Sequence, residues 1–115
     1  MIKIIRAPIS DSELREFLGK PYREMIKFVV DIRREVIALG GEMHADAQKV
    51  LLEDGSKQQD VWGANIYPGR SKEQRLEWHS LINIRPSVGN CSIEIQDRPI
   101  QERVRKISEK LLACP

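Results

Sequence analysis

From residue 59 to 96 the chain reads QDVWGANIYPGRSKEQRLEWHSLINIRPSVGNCSIEIQ, and in its segment SLINIRPSVGNCSIEI apolar residues alternate with polar ones on both sides of a Pro-Ser-Val-Gly loop, the period of strands half buried in a sheet. Three strands are predicted there, over 61–67, 76–85 and 90–96, with turns at Pro68-Gly69 and over 86–89. The second turn sets the register. A four-residue loop places Arg85 opposite Asn90, Ile84 opposite Cys91, Asn83 opposite Ser92 and Ile82 opposite Ile93; one more residue would set Asn83 against Ile93 and mix the two faces. In the first of these strands Trp62, Ala64 and Ile66 face one way and Val61, Gly63, Asn65 and Tyr67 the other. Gly63 within it marks a bulge or a close backbone approach.

The flanks carry a different period. Met1 to Ile5 is short and β-branched, a strand with Ile2 and Ile4 on one face and Ile5 out of step. Ser10 and Glu13 have capping-box spacing, which predicts a short helix to about Leu18, ended by Gly19. Pro21 then suits the first turn of a second helix over 21–39, where Tyr22, Met25, Ile26, Val29, Ile32, Val36 and Leu39 recur three and four apart before Gly40. A third helix is predicted over 42–54, closed by Gly55, with Ala47, Val50 and Leu51 inward. Asp97 caps the last helix, Pro99 fits its first turn, and Ile100, Val104, Ile107 and Leu111 form its stripe.

The predicted order is thus β-α-α-α-β-β-β-α, an α+β fold in which the N-terminal strand and a three-strand meander form an antiparallel sheet packed on one face by helices. Trp78, Ser80, Ile82, Ile84, Cys91, Ile93 and Ile95 would lie under the helices. Glu77, His79, Leu81, Asn83, Arg85, Asn90, Ser92 and Glu94 would form a wet or partner-facing surface.

Composition narrows this little. A chain of 115 residues fits a single domain over 1–115, and folding at this size hides roughly 65% of the unfolded surface, enough for a core without staples. Charged residues make up 31%, and 19 basic against 17 acidic side chains give a net charge of +2, which argues against a surface dominated by phosphate contacts. Cys91 and Cys114 match no zinc or redox spacing; Cys91 reads as a buried thiol and Cys114 as exposed near the end. With no signal peptide, no long apolar run and no cysteine framework, the expected location is the cytoplasm, away from membranes.

Candidate chemistry lies on the polar sheet face. His79, Asn83 and Arg85 alternate on one strand, Asn90 and Glu94 come from the next, and Asn65 from the one before, with Trp62 in the same segment. A guanidinium offers paired donors to a carboxylate or phosphate, and an imidazole exchanges protons near neutral pH. Exposed strands also carry polar residues simply because water is there. A group of His44, Asp46 and Glu53 is disfavoured as a metal or acid-base site, because a two-residue step sets His44 and Asp46 on different faces of a helix. No metal or cofactor signature is present, there is no phosphate loop or nucleophile motif, and aromatic residues are too few for nucleic-acid stacking.

The phrases HAD at 44–46, LLEDGS at 51–56, DVWGANIYP at 60–68 and INIRP followed by GN within 82–90 resemble a family of small prokaryotic proteins of uncharacterised function. The resemblance runs from about residue 43 to 96 and implies no activity, so it assigns no role to any residue. It marks Asp60, Trp62, Gly63 and Asn65, with Asn83, Arg85 and Asn90, as positions to mutate. The leading expectation is a non-catalytic module that binds a protein partner or itself through the polar face. An enzyme or small anionic-ligand binder centred on Arg85, His79 and Asn83 is the alternative. A third reading, an RNA-acting protein, rests only on the likeness of the predicted element order to that of ribosome-dependent toxins.

Overall fold

A computed structural model describes residues 1–112. Five strands form one antiparallel sheet: β1 (Ile2–Ile5), β2 (Ile26–Asp31), β3 (Val36–Gly40), β4 (Val61–Ile66) and β5 (Leu76–Glu77), in the spatial order β1-β3-β2-β4-β5. Three helices join it, α1 (Asp11–Arg15), α2 (His44–Glu53) and α3 (Arg98–Leu111). The α+β class with an antiparallel sheet is as expected.

The sheet is covered on both faces rather than one. Ile5, Phe28, Val30, Ile37, Leu39, Trp62, Ala64 and Ile66 pack with Leu14 and Phe17 at the α1 end and with Val104, Ile107 and Leu111 of α3. On the opposite face Val29, Val36, Ala38 and Val61 pack with Ala47 and Leu51 of α2, flanked by Ile2 and Ile4. This explains why Ile5 breaks step with Ile2 and Ile4: β1 buries side chains on both sides.

The same two-sided burial corrects the helix expected over 21–39. That stretch holds the β2–β3 hairpin, with Phe28 opposite Leu39, Val30 opposite Ile37 and Asp31 opposite Val36. A strand buried on both faces is apolar at nearly every position, so a three-and-four spacing can be picked out of it by coincidence. The β-branched and aromatic run IKFVVD pairs with VIALG. Between them no Gly, Pro or Asn marks the turn. The buried Asp31 carboxylate replaces that signal, accepting from the Arg33 and Arg34 amides at 2.8 and 2.9 Å, while Glu35 adopts a positive φ of 56°.

The strands expected over 76–85 and 90–96 are also corrected. Only Leu76 and Glu77 pair with β4. The Pro86–Val88 turn does form, Gly89 closes it in the left-handed region, and Arg85 pairs with Asn90 as the register required. Beyond that pair the ladder is interrupted, because Leu81–Asn83 coils into a 3-10 turn and turns Asn83 inward; it resumes only at the His79–Glu94 bridge, two residues out of the expected register. Its carboxamide accepts from Gly63 N at 2.9 Å and donates to Gly63 O at 2.9 Å and to Ile93 O at 3.0 Å, as a neighbouring strand would. Asn90 is likewise buried, donating to Asn83 O, Ser92 O and Glu94 O and accepting from Gln96 N. The segment from 80 to 96 is therefore a lobe wound around two carboxamides. Ile84, Ile93 and Cys91, expected inward, are exposed on it; Ser80 and Ile95 are buried. Cys114 lies outside the described residues.

Elsewhere the local signals hold. Ser10 and Glu13 form the reciprocal capping box, which holds the Glu13 carboxyl below its usual range through the Ser10 amide. Asp97 caps α3 through Ile100 N at 3.1 Å. No helix among the described residues is long and apolar enough to cross a membrane.

Gly63 admits the lobe because it lacks a side chain: a Cβ there would meet Ser80 Cβ at 2.6 Å and Oγ at 2.7 Å. Gly63→Ala should lower stability by about 2 kcal/mol or more, and Ser80→Gly in the same chain should restore part of that loss, measured by urea unfolding. Asn83→Leu leaves both Gly63 peptide groups without partners and should cost ~3 kcal/mol.

Candidate functional site

α2 covers only part of its sheet face. Past its N-terminus the facing row of the sheet turns polar, with Lys27 of β2, Asn65 of β4 and Glu77 of β5 directly opposite one another across three strands. They share the α2 face because their neighbours Ile26, Ile66 and Leu76 point into the other core layer. Over this row lies an open cleft of about 520 Å³, walled by residues 42–45 at the start of α2, by His79 to Ile82 of the lobe, and by Tyr22 and Met25.

Each polar group is held by a neighbour. Asn65 is nine-tenths buried or more, and its amide donates to Glu77 Oε1 at 2.9 Å and to His79 O at 3.3 Å. Those acceptors fix the orientation of the carboxamide, which leaves its oxygen buried with no hydrogen-bond partner. The His79 ring stands between two carboxylates, Nδ1 at 3.8 Å from Glu77 and Nε2 at 3.5 Å from Glu94. Tyr67 also reaches Glu77 at 3.4 Å, and burial followed by the Glu77 charge pushes its phenol up. The Lys27 ammonium sits 5.4 Å from the Tyr22 ring, and Tyr22 donates to Glu42 O at 2.8 Å.

His44 occupies the first turn of α2. Its Nε2 is 2.8 Å from Ala64 O, and a carbonyl can only accept, so the proton resides on Nε2. Burial drives its pKa down to about 4; Lys27 adds to this, while the Ala64 carbonyl and the Asn65 carboxamide oppose it. At neutral pH the ring is uncharged and keeps a lone pair on Nδ1. Met43 at the N-cap supplies no side-chain bond, so the first-turn amides of α2 have no side-chain partner there.

Of the residues singled out from sequence, Asn65, His79 and His44 line this cleft, with Glu94 beside His79. Asn83 and Asn90 are structural, as described. Trp62 lies in the core and carries the Arg85 guanidinium 4.5 Å from its ring centre. Arg85 donates from Nε and Nη2 to the carbonyls of Ile82 and Val61 and leaves its buried Nη1 without a partner, and desolvation lowers its pKa. Asp46 is exposed on α2. His44, Asp46 and Glu53 do not gather, since no group of three or more His, Cys, Asp or Glu among the described residues could hold a metal.

Lys27 and Glu77 were missed. Lys27 carries no signal of its own in the sequence, since only the register of β2 sets it beside Asn65, and Glu77 is one of several polar residues on the expected wet face until β5 pairs it with Asn65.

The fold and cleft together define a small α+β protein whose antiparallel sheet opens at one end into a polar recess. The chain belongs to a family described as protein of unknown function (DUF5674), which matches residues 3–111. No curated protein and no solved structure matches it.

A buried histidine held neutral makes stability fall in acid. Its ordinary value is 6.5 and its folded value about 4, so its contribution is full above pH 6.5 and is lost as pH falls towards 4. Between pH 7 and pH 5 unfolding free energy should drop by about 2 kcal/mol from this group, and His44→Gln should flatten that slope in urea titrations at the two pH values.

Proposed function

We propose that this protein binds a small polar organic molecule in the cleft over Lys27, Asn65 and Glu77. The observation that carries the reading is the Asn65 carboxamide oxygen, buried without a partner in a recess already lined by a cation, a neutral imidazole and a carboxylate. An unpaired buried acceptor costs about 1–3 kcal/mol, and a ligand that donates to it recovers that cost. This moves the ligand site away from Arg85 and Asn83 and keeps His79. The site sits on regular strands and the start of a helix, which hold a first layer of contacts more firmly than loops do.

One observation favours a second reading, association of two copies through the lobe: Leu81 and Val88 are 74% and 61% exposed, with Ile84 and Ile93 exposed near them in sequence. Sedimentation velocity separates the two, since Val88→Glu should abolish a concentration-dependent dimer and leave ligand binding intact.

A thermal-shift screen of charged and zwitterionic metabolites should yield compounds that raise the melting temperature of the native chain. Lys27→Met and Asn65→Leu should each abolish that rise while retaining a cooperative transition. A library that shifts nothing, or hits unchanged in both variants, would overturn the cleft as a binding site.

A further inference from the structure

The polar floor of the cleft is divided by charge. On the β2 side stand the Lys27 ammonium and the start of α2, whose uncapped amides and positive dipole end favour an anion. The β4–β5 side presents two acceptors, the Asn65 carboxamide oxygen and the Glu77 carboxylate, with the His79 ring beside Glu77 and the neutral His44 ring at the start of α2. A simple anion would satisfy the first half and leave the Asn65 oxygen unpaired beside Glu77. A simple amine would satisfy the second and face Lys27. The edge of the recess is apolar instead, with Met43, Leu81 and Ile93 exposed by 55%, 74% and 44% along the cleft wall.

We infer that the ligand is a free amino acid with an apolar side chain, its carboxylate against Lys27 and the first-turn amides of α2, its ammonium donating to the Asn65 oxygen and Glu77, and its side chain on Met43, Leu81 and Ile93. This inference rests on the cleft being the binding site. Lys27 and Glu77 are two strand spacings apart, roughly 10 Å between backbones, with Asn65 between them, its amide on Glu77 Oε1 at 2.9 Å. His79, with its ring 3.8 Å from Glu77 and 3.5 Å from Glu94, lines the same end of the cleft as the ammonium.

Isothermal titration and amide-shift mapping with leucine, methionine, 4-methylvalerate, leucinamide, glycine and inorganic phosphate test the assignment. Leucine or methionine should bind and move the side-chain amide signal of Asn65 together with the backbone amides of His44 and Ala45. Loss of the amine, as in 4-methylvalerate, or of the carboxylate, as in leucinamide, should each weaken binding by about tenfold or more, and glycine should bind weakly for want of the apolar contact. Lys27→Met should erase the preference for leucine over leucinamide. If 4-methylvalerate or phosphate binds as well as leucine, or if no amino acid moves these signals while another compound binds and is lost in Asn65→Leu, the amino-acid assignment fails and the cleft stands as a site. If neither amino acids nor any screened compound perturbs the cleft, both fail.

Discussion

A single side-chain amide takes the place of a strand in this molecule. Asn83 gives Gly63 both peptide hydrogen bonds that a longer β5 would otherwise supply, and holds Ile93 O with the same carboxamide. Because Gly63 carries no Cβ, Ser80 approaches β4 closely enough for this to occur. The remainder of the lobe follows from that anchor. Asn90 ties Asn83 O to Ser92 and Glu94, and Arg85 closes over Trp62. The stretch His79 to Ile82 is thereby fixed as one wall of the cleft, at a distance set by the Asn83 contacts rather than by sheet pairing.

The two ends of the sheet are built differently. At the end away from the cleft, the Asp31 carboxylate accepts from Ser56 at 2.6 Å, Arg34 bridges Ser56 and Asp54, and Arg6 joins Asp54. Hydrogen bonds from Arg34 and Arg6 hold the Asp54 carboxyl below its usual range. This cluster secures the C-terminal end of α2 to the β2–β3 turn. No comparable ion pair ties down the N-terminal end of α2 among the described residues, and Lys27 and Glu77 lie apart on either side of Asn65. Around the cleft the charges meet neutral neighbours instead, Lys27 over the Tyr22 ring and Glu77 against Asn65 and Tyr67.

Signals confined to a few neighbouring residues were legible from the sequence. The capping box at Ser10, the Asp97 cap, the stripe of α3, the alternation of β4, the close approach at Gly63 and the Arg85–Asn90 turn all depend on short-range geometry, and all are present. The β2–β3 hairpin was not legible, because burial on both faces removes the alternation that identifies a strand, and a turn built on an aspartate and a positive-φ glutamate carries no glycine or proline to announce it. The lobe misled in the opposite way. Residues 80–96 alternate like a hairpin, yet the energy of burying two asparagines against open peptide groups outweighs a regular ladder. The site was half legible: Asn65, His79 and His44 stood out as residue types, whereas Lys27 and Glu77 acquire meaning only from cross-strand register.

Attaching the lobe through side chains makes its hold on β4 depend on residue identity: Asn83 meets both Gly63 peptide groups, Arg85 meets Val61 O and Asn65 meets His79 O, three points where one substitution removes contacts that a backbone ladder would keep whatever the side chain.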